Sequence, residues 1–310
     1  MKKILVALLF LAALGGFAMA QEALEGLSVG GEFWKDADEE GDVGFAPFAE
    51  YEKSIDALDI YLKAEYDVKL DDDTNQAFYL EEGFTYNIEG AGPGTLSFAI
   101  TNYNLFGTSI TEPDDYDGGT WDFYGADDSI YGKDDKVTGY FEFSAGYEVE
   151  GFSITAGFDW GYLPGKIDVG GAEKMDTSFK ELFGIIGYTH STDIGDFGIE
   201  GTAIYTLDYG WKDYGGGGED KSVEDLYEFD IVLSYAQEKF QITLEADLPK
   251  NYDGKFLKDY TILPGVEVYI DNFTIFGELQ IAHVDDANEG AGDKESKTWT
   301  GFLVGLKYAF

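Results

Sequence analysis

The 310-residue sequence contains no cysteine. Disulfides, thiol nucleophiles and thiolate metal sites are therefore excluded. Arginine is absent too: all 20 basic residues are lysine, so no bidentate guanidinium clamp can be built. Histidine occurs only at His190 and His283, which leaves few nucleophile–base combinations. Proline is sparse, at six residues. Past the N-terminus no run approaches the roughly 20 apolar residues of a membrane-spanning helix. Positive charge is scarce as well, with 61 acidic residues against 20 basic ones and a net charge of −41. Nucleic acid and anionic lipid surfaces would repel such a chain. At 44% hydrophobic and 16% aromatic residues, it is also not an acidic disordered protein.

What is abundant favours β structure: 24 Phe, 22 Tyr and 41 Gly. The N-terminus reads differently. Lys2 and Lys3 precede the apolar run 4–14, and Ala18-Met19-Ala20 follows. That is the layout of a secretory signal peptide over residues 1–20, leaving 21–310 as a single domain. No cysteine follows the cleavage site, so no lipid anchor is expected.

Alternating apolar and polar residues then recur to the end of the chain. The segments are 24–34, 43–53, 57–69, 76–88, 95–106, 137–149, 152–163, 178–190, 197–209, 224–237, 239–248, 259–270, 273–284 and 298–310. Their length, about ten to thirteen residues, suits a tilted strand crossing a bilayer. From residue 107 onward, long polar connectors alternate with short turns such as Glu150-Gly151 and Asp271-Asn272. Four short turns are each followed by Phe-x-Ile, at Phe152, Phe197, Phe240 and Phe273, which places a ring at one interface and Ile deeper in lipid. Trp34, Trp160, Tyr162, Tyr209, Trp211 and Trp299 lie near the opposite strand ends and are expected to form the outer aromatic girdle. The predicted fold is all-β: a transmembrane antiparallel up-and-down β-barrel of about 14 strands, with 12 to 16 compatible with the pattern.

The last stretch, Trp299-Thr-Gly-Phe-Leu-Val-Gly-Leu-Lys-Tyr-Ala-Phe310, alternates to its final residue. It resembles the C-terminal strand of bacterial outer-membrane β-barrel proteins, porin-like in type. That resemblance implies residence in the outer membrane, with Phe310 and Tyr308 as the assembly signal. It also implies the barrel-assembly machinery and periplasmic chaperones as partners during biogenesis.

With lipid outside, the polar face turns inward. It carries Asp59, Glu65, Asp67, Glu142, Glu148, Asp159, Glu200, Asp208, Glu228, Asp230, Glu245, Asp247, Glu267 and Glu278, against Lys63, Lys69 and Lys307. The mid-strand positions Lys63, Glu65, Glu142, Asp230, Glu245 and Glu278 are the candidate pore lining. Such an interior attracts cations and excludes anions. Three positions fit poorly. Glu82 falls on the lipid face unless Glu81-Glu82-Gly83 forms a bulge, and Pro47 and Pro264 each remove a ladder donor inside a strand.

The longest connector, 107–136, mixes carboxylates with rings. Asp115, Asp117, Trp121 and Tyr124 are candidate ligand-binding residues there, for sugars or apolar solutes. No cofactor motif is present; the acidic loops are candidate sites for divalent cations, although none has full calcium-loop spacing. No catalytic residue is assigned and the protein is not expected to be an enzyme. His190 and His283 lie toward opposite membrane faces, and paired carboxylates are too numerous for one pair to stand out. The sequence thus predicts an outer-membrane porin for passive diffusion of small hydrophilic solutes with cation preference. One alternative is a non-conducting, adhesin-like surface barrel whose acidic, aromatic loops bind partners. Another is a soluble exported β-sandwich that binds glycan through Trp121 and Tyr124.

Overall fold

The computed structural model describes residues 25–36, 43–70, 76–107, 136–163, 175–213, 221–223, 226–249, 260–284 and 296–310. The loop candidates Asp115, Asp117, Trp121 and Tyr124 lie outside these. Alternation of β-branched, aromatic and polar residues makes every described element a strand. They are β1 (Leu27–Lys35), β2 (Val43–Ile55), β3 (Leu58–Lys69), β4 (Gln76–Ala91), β5 (Gly94–Gly107), β6 (Lys136–Val149), β7 (Phe152–Leu163) and β8 (Met175–Thr192). They continue with β9 (Gly195–Asp213), β10 (Lys221–Val223), β11 (Leu226–Gln237), β12 (Phe240–Pro249), β13 (Tyr260–Ile270), β14 (Phe273–Val284) and β15 (Lys297–Ala309).

Every strand but β10 and β11 pairs antiparallel with its chain neighbours. β10 and β11 each pair with β9, β11 also pairs with β12, β9 also pairs with β8, and β1 pairs with β15. The sheet therefore closes on itself and has no free edge. Val223 pairs with Tyr209 and Leu226 with Thr206, so β10 and β11 continue one register along β9 and act as one stave. The barrel wall has 14 staves.

Hairpin turns at one end are two residues long. At Glu150-Gly151 both residues have positive φ, 50° and 81°, the twist that tight hairpins prefer. The closure is tied at the same end. Phe310 N donates to Leu27 O at 3.0 Å and Ala309 N to Asn272 O at 2.9 Å. Phe273, Tyr308 and Phe310 stack around that seam, with ring centroids 4.8 and 5.0 Å apart.

The outer surface is an apolar belt. Phe84, Ile100, Phe143, Ile154, Leu182, Ile199, Ile231, Ile242 and Val304 are all exposed on it, and among the described residues no second layer of structure covers them. In water such a surface would be untenable for a monomer; in a bilayer lipid covers it, while the closed ladder satisfies the backbone. The fold is a closed β-barrel with the outer surface of a membrane-spanning one. The Phe-x-Ile residues stand on this belt, with Phe152, Phe197, Phe273, Ile154, Ile199, Ile242 and Ile275 exposed. Strands β8 and β9, at 18 and 19 residues, exceed the about 9–11 needed to span, so they project beyond the hydrocarbon.

Two of the three misfits are absorbed without a register error. β2 pairs with β3 at Phe45↔Val68 and again at Phe48↔Glu65, in one unbroken register around Pro47. Pairing of β13 with β14 likewise skips from Ile262↔Ile281 to Gly265↔Glu278 around Pro264. Each proline interrupts the ladder on that side without shifting its register. The third misfit is real. Register shifts in the barrel lie between Glu89 and Ala91 and between Lys180 and Glu181, so no bulge turns Glu82 inward.

The outer girdle is a partial correction. Trp160 is outward and exposed, stacked on Phe141 at 6.5 Å. Trp34 and Trp299 instead share the inward parity of Glu32 and Lys307, and Trp34 Nε1 donates to Asp67 Oδ1 at 3.2 Å. A Trp near a strand end faces whichever side its parity dictates. The side chains of Tyr162, Tyr209 and Trp211 lie outside the described ones.

Candidate functional site

The interior is built from alternate residues of every stave. Lys63 and Glu65 stand mid-strand on β3, Glu142 on β6, Asp230 on β11, Glu245 on β12 and Glu278 on β14. All six have the parity opposite to the exposed apolar belt, so the barrel gathers them onto one inner surface. They do not form one cluster; their strands are spread around the wall.

Two parts of the interior differ. On the β15–β1–β2–β3 side it is packed. Phe48 is 3% exposed and Ala46 fully buried. Glu50 accepts from Ser28 Oγ at 3.3 Å and from Lys307 Nζ at 3.0 Å. Lys63 Nζ lies 2.9 Å from Glu65 Oε2, and 5.6 and 5.7 Å from the ring centres of Phe48 and Tyr79. Tyr79 in turn donates to Glu81 Oε2 at 3.0 Å. The lysines here are thus matched by carboxylates and rings.

Around β6 to β13 the inner face is carboxylate-rich. Glu142 stands directly across from Asp159, and Asp159 directly across from Glu181. Asp230 faces Asp247 in the same way. Like charges directly opposite on a ladder are unfavourable. One carboxylate oxygen each of Asp159, Asp230 and Asp247 is buried within these rows.

Sequence reasoning missed two kinds of inner residue. Glu32, Glu50, Glu81 and Glu181 face inward but were not assigned to the interior. Glu81 has the parity of Tyr79 and opposite parity to the outward Phe84, a signal obscured by its neighbour Glu82. The second kind is aromatic. Trp34 sits over Gly44, Phe48 over Gly30, Phe276 over Gly305 and Phe183 over Gly157. Each is a direct cross-strand partner of its glycine, whose missing side chain leaves the socket for the ring. Alternation assigned the polar face inward without placing these rings; paired glycines on the adjacent strand are the signal that a ring can turn inward.

His190 and His283 have the outward parity of their strands. His190 stacks on Tyr188 near the short-turn end of β8, and His283 on Tyr260 near the long-loop end of β14. Among the described residues no group of three or more His, Asp or Glu side chains is placed to hold a metal ion. The acidic loops and the side chains of Lys69 and Asp208 lie outside the described ones.

No protein-family model matches the chain, and no characterised protein sequence matches it. Solved structures do. A TodX monoaromatic hydrocarbon channel mutant is similar at 11% identity and a TM-score of 0.53, over 92% of this chain and 89% of that one. The Pseudomonas putida toluene transporter TodX is similar at 10% identity and a TM-score of 0.51, over 92% and 88%. At that identity the likeness is one of fold, the closed barrel of outer-membrane channels.

Proposed function

We infer that the barrel is a passive outer-membrane channel for small hydrophilic solutes, with a preference for cations. The observation that carries this reading is the sign of the inner surface. Carboxylates line the described staves around the wall, while the inward lysines of the spanning region, Lys63 and Lys307, are paired with Glu65 and Glu50. Net negative potential in a low-dielectric tube raises local cation concentration and lowers that of anions.

A second reading rests on the inward rings. Trp34, Phe48, Phe183 and Phe276 offer apolar contact inside the lumen, and the structural neighbours are described as carrying toluene and monoaromatic hydrocarbons. On this reading the solute has an aromatic body, and the carboxylates select those that are neutral or positively charged.

Planar-bilayer reconstitution tests the first reading. Stepwise conductance with a reversal potential displaced toward the cation is expected. In the double variant Glu65→Lys, Glu142→Lys the reversal potential should move toward the anion value. Folded protein that gives no steps would favour a non-conducting surface barrel. Uptake of an aromatic solute by proteoliposomes with little ionic conductance would favour the second reading.

A further inference from the structure

The outward face of β4 and β5 carries an interruption that contact with lipid does not explain. Along β4 the outward positions are Phe78, Leu80, Glu82, Phe84, Tyr86 and Ile88. Glu82 is therefore bracketed by apolar residues above and below, at the middle of a 16-residue strand. Directly across on β5 stands Asn102, whose Nδ2 donates to Glu82 Oε2 at 3.3 Å. Their neighbours in the same cross-strand row, Leu62 and Phe141, are exposed apolar residues, as are Phe84 and Ile100 one step along. The polar pair sits inside the belt, not at its rim. The other mid-strand acids among the described side chains face the lumen.

A carboxylate turned toward hydrocarbon is costly, and an ionisable group within a membrane span marks a functional contact by default. One amide hydrogen bond satisfies a fraction of a group that accepts about four. We propose that this face, centred on Glu82 and Asn102, is the contact surface for a second copy of the chain.

The chemistry of the pair selects that partner. After the bond between them, Asn102 retains an N–H donor and its carbonyl, and Glu82 retains acceptor capacity. Donor and acceptor stand side by side on adjacent strands, at nearly equal depth. Two copies inserted in one membrane must share orientation and depth, and a two-fold axis along the membrane normal preserves both. That axis brings Glu82 of one copy against Asn102 of the other, and the reverse. Each carboxylate then gains a second amide donor and leaves the hydrocarbon. Leu62, Phe84, Ile100 and Phe141 close around the polar centre. Apolar packing alone gives little preference for protein over lipid, so the hydrogen bonds set the specificity.

The absence of cysteine makes the test clean. Ile100→Cys places a thiol beside the pair, and Ile242→Cys places one on β12, away from it. In outer membranes treated with a short bis-maleimide, Ile100→Cys should run at twice the monomer mass and Ile242→Cys should stay monomeric. Adding Glu82→Leu and Asn102→Leu to Ile100→Cys should lower the cross-linked fraction about tenfold, equivalent to roughly 1.4 kcal/mol. Heat-modifiable migration should show the barrel still folded. Native mass spectrometry of the extracted wild-type barrel should give a two-chain species. Absent or equal cross-linking at the two positions, a dimer insensitive to the double substitution, or an assembly of more than two chains would each overturn the proposal. Ion selectivity per barrel should not change in the double variant, so this test stands apart from the channel reading.

Discussion

Gly305 and Phe276 face each other across β15 and β14, and the ring occupies the space a methyl group at 305 would need. Gly157 and Phe183 repeat the arrangement across β7 and β8. The glycines hold the rings flat against the wall. Gly305→Ala should push the Phe276 ring into the lumen and lower single-channel conductance. Overpacking of this kind should also cost about 1–3 kcal/mol in urea unfolding from vesicles. Phe276→Ala should have the opposite effect on conductance, and equal conductance in both variants would show that this ring does not bound the path. Glu50 makes the complementary point about charge. With Ser28 and Lys307 as partners it is a packed, compensated carboxylate, whereas Glu142 and Asp159 confront each other. Charges of one sign on one face are therefore not equivalent as selectivity groups, and the row at Glu142 should matter more than Glu50.

The strands themselves were largely legible. The segment read as 273–284 is β14, residue for residue, and 152–163 is β7. Period-two patterning is strong there because each residue meets either lipid or water, with no intermediate environment. Where the pattern weakened, the cause was local. β2 carries the inward Phe48 and Ala46 beside Pro47, so both its faces look apolar. The closing strand behaves as an element in its own right. β15 is hydrogen-bonded to β14 on one side and β1 on the other, and Phe310 N reaches Leu27 O beyond its last paired residue. Deleting Phe310 removes that bond and the edge contact with Tyr308. Outer-membrane levels of folded barrel should fall severalfold, while the variant that does assemble keeps its conductance. Unchanged assembly would remove Phe310 from the role proposed for it, and Tyr308→Ala would test the stacked seam independently.

For the molecule as a whole, the proposed selectivity rests on summed potential instead of one binding group. Such selectivity is screened by salt. The Debye length is about 10 Å at 0.1 M and about 3 Å at 1 M ionic strength, spanning the scale of a small lumen. Cation preference should therefore decline steeply as symmetric salt is raised between those limits. A preference independent of salt would point to a discrete cation site in place of a diffuse field. The same closure that creates the lumen also defines the outer belt, and the belt exposes Glu82 as its anomaly.

Taken alone, the order of residues determined the class of protein: β-built, spanning a membrane, and negative on its inner face. Those properties follow from alternation and charge, which act residue by residue and need no knowledge of which strands meet. Which side chains share an environment was decided only in three dimensions. The inward rings depend on a glycine in the neighbouring strand, and neutralisation of Glu50 depends on Lys307, 257 positions away along the chain. The orientation of Glu82 depends on the absence of a bulge that local sequence would have allowed. Cross-strand partners are set by register and closure of the whole ring, and no single stretch of sequence encodes that.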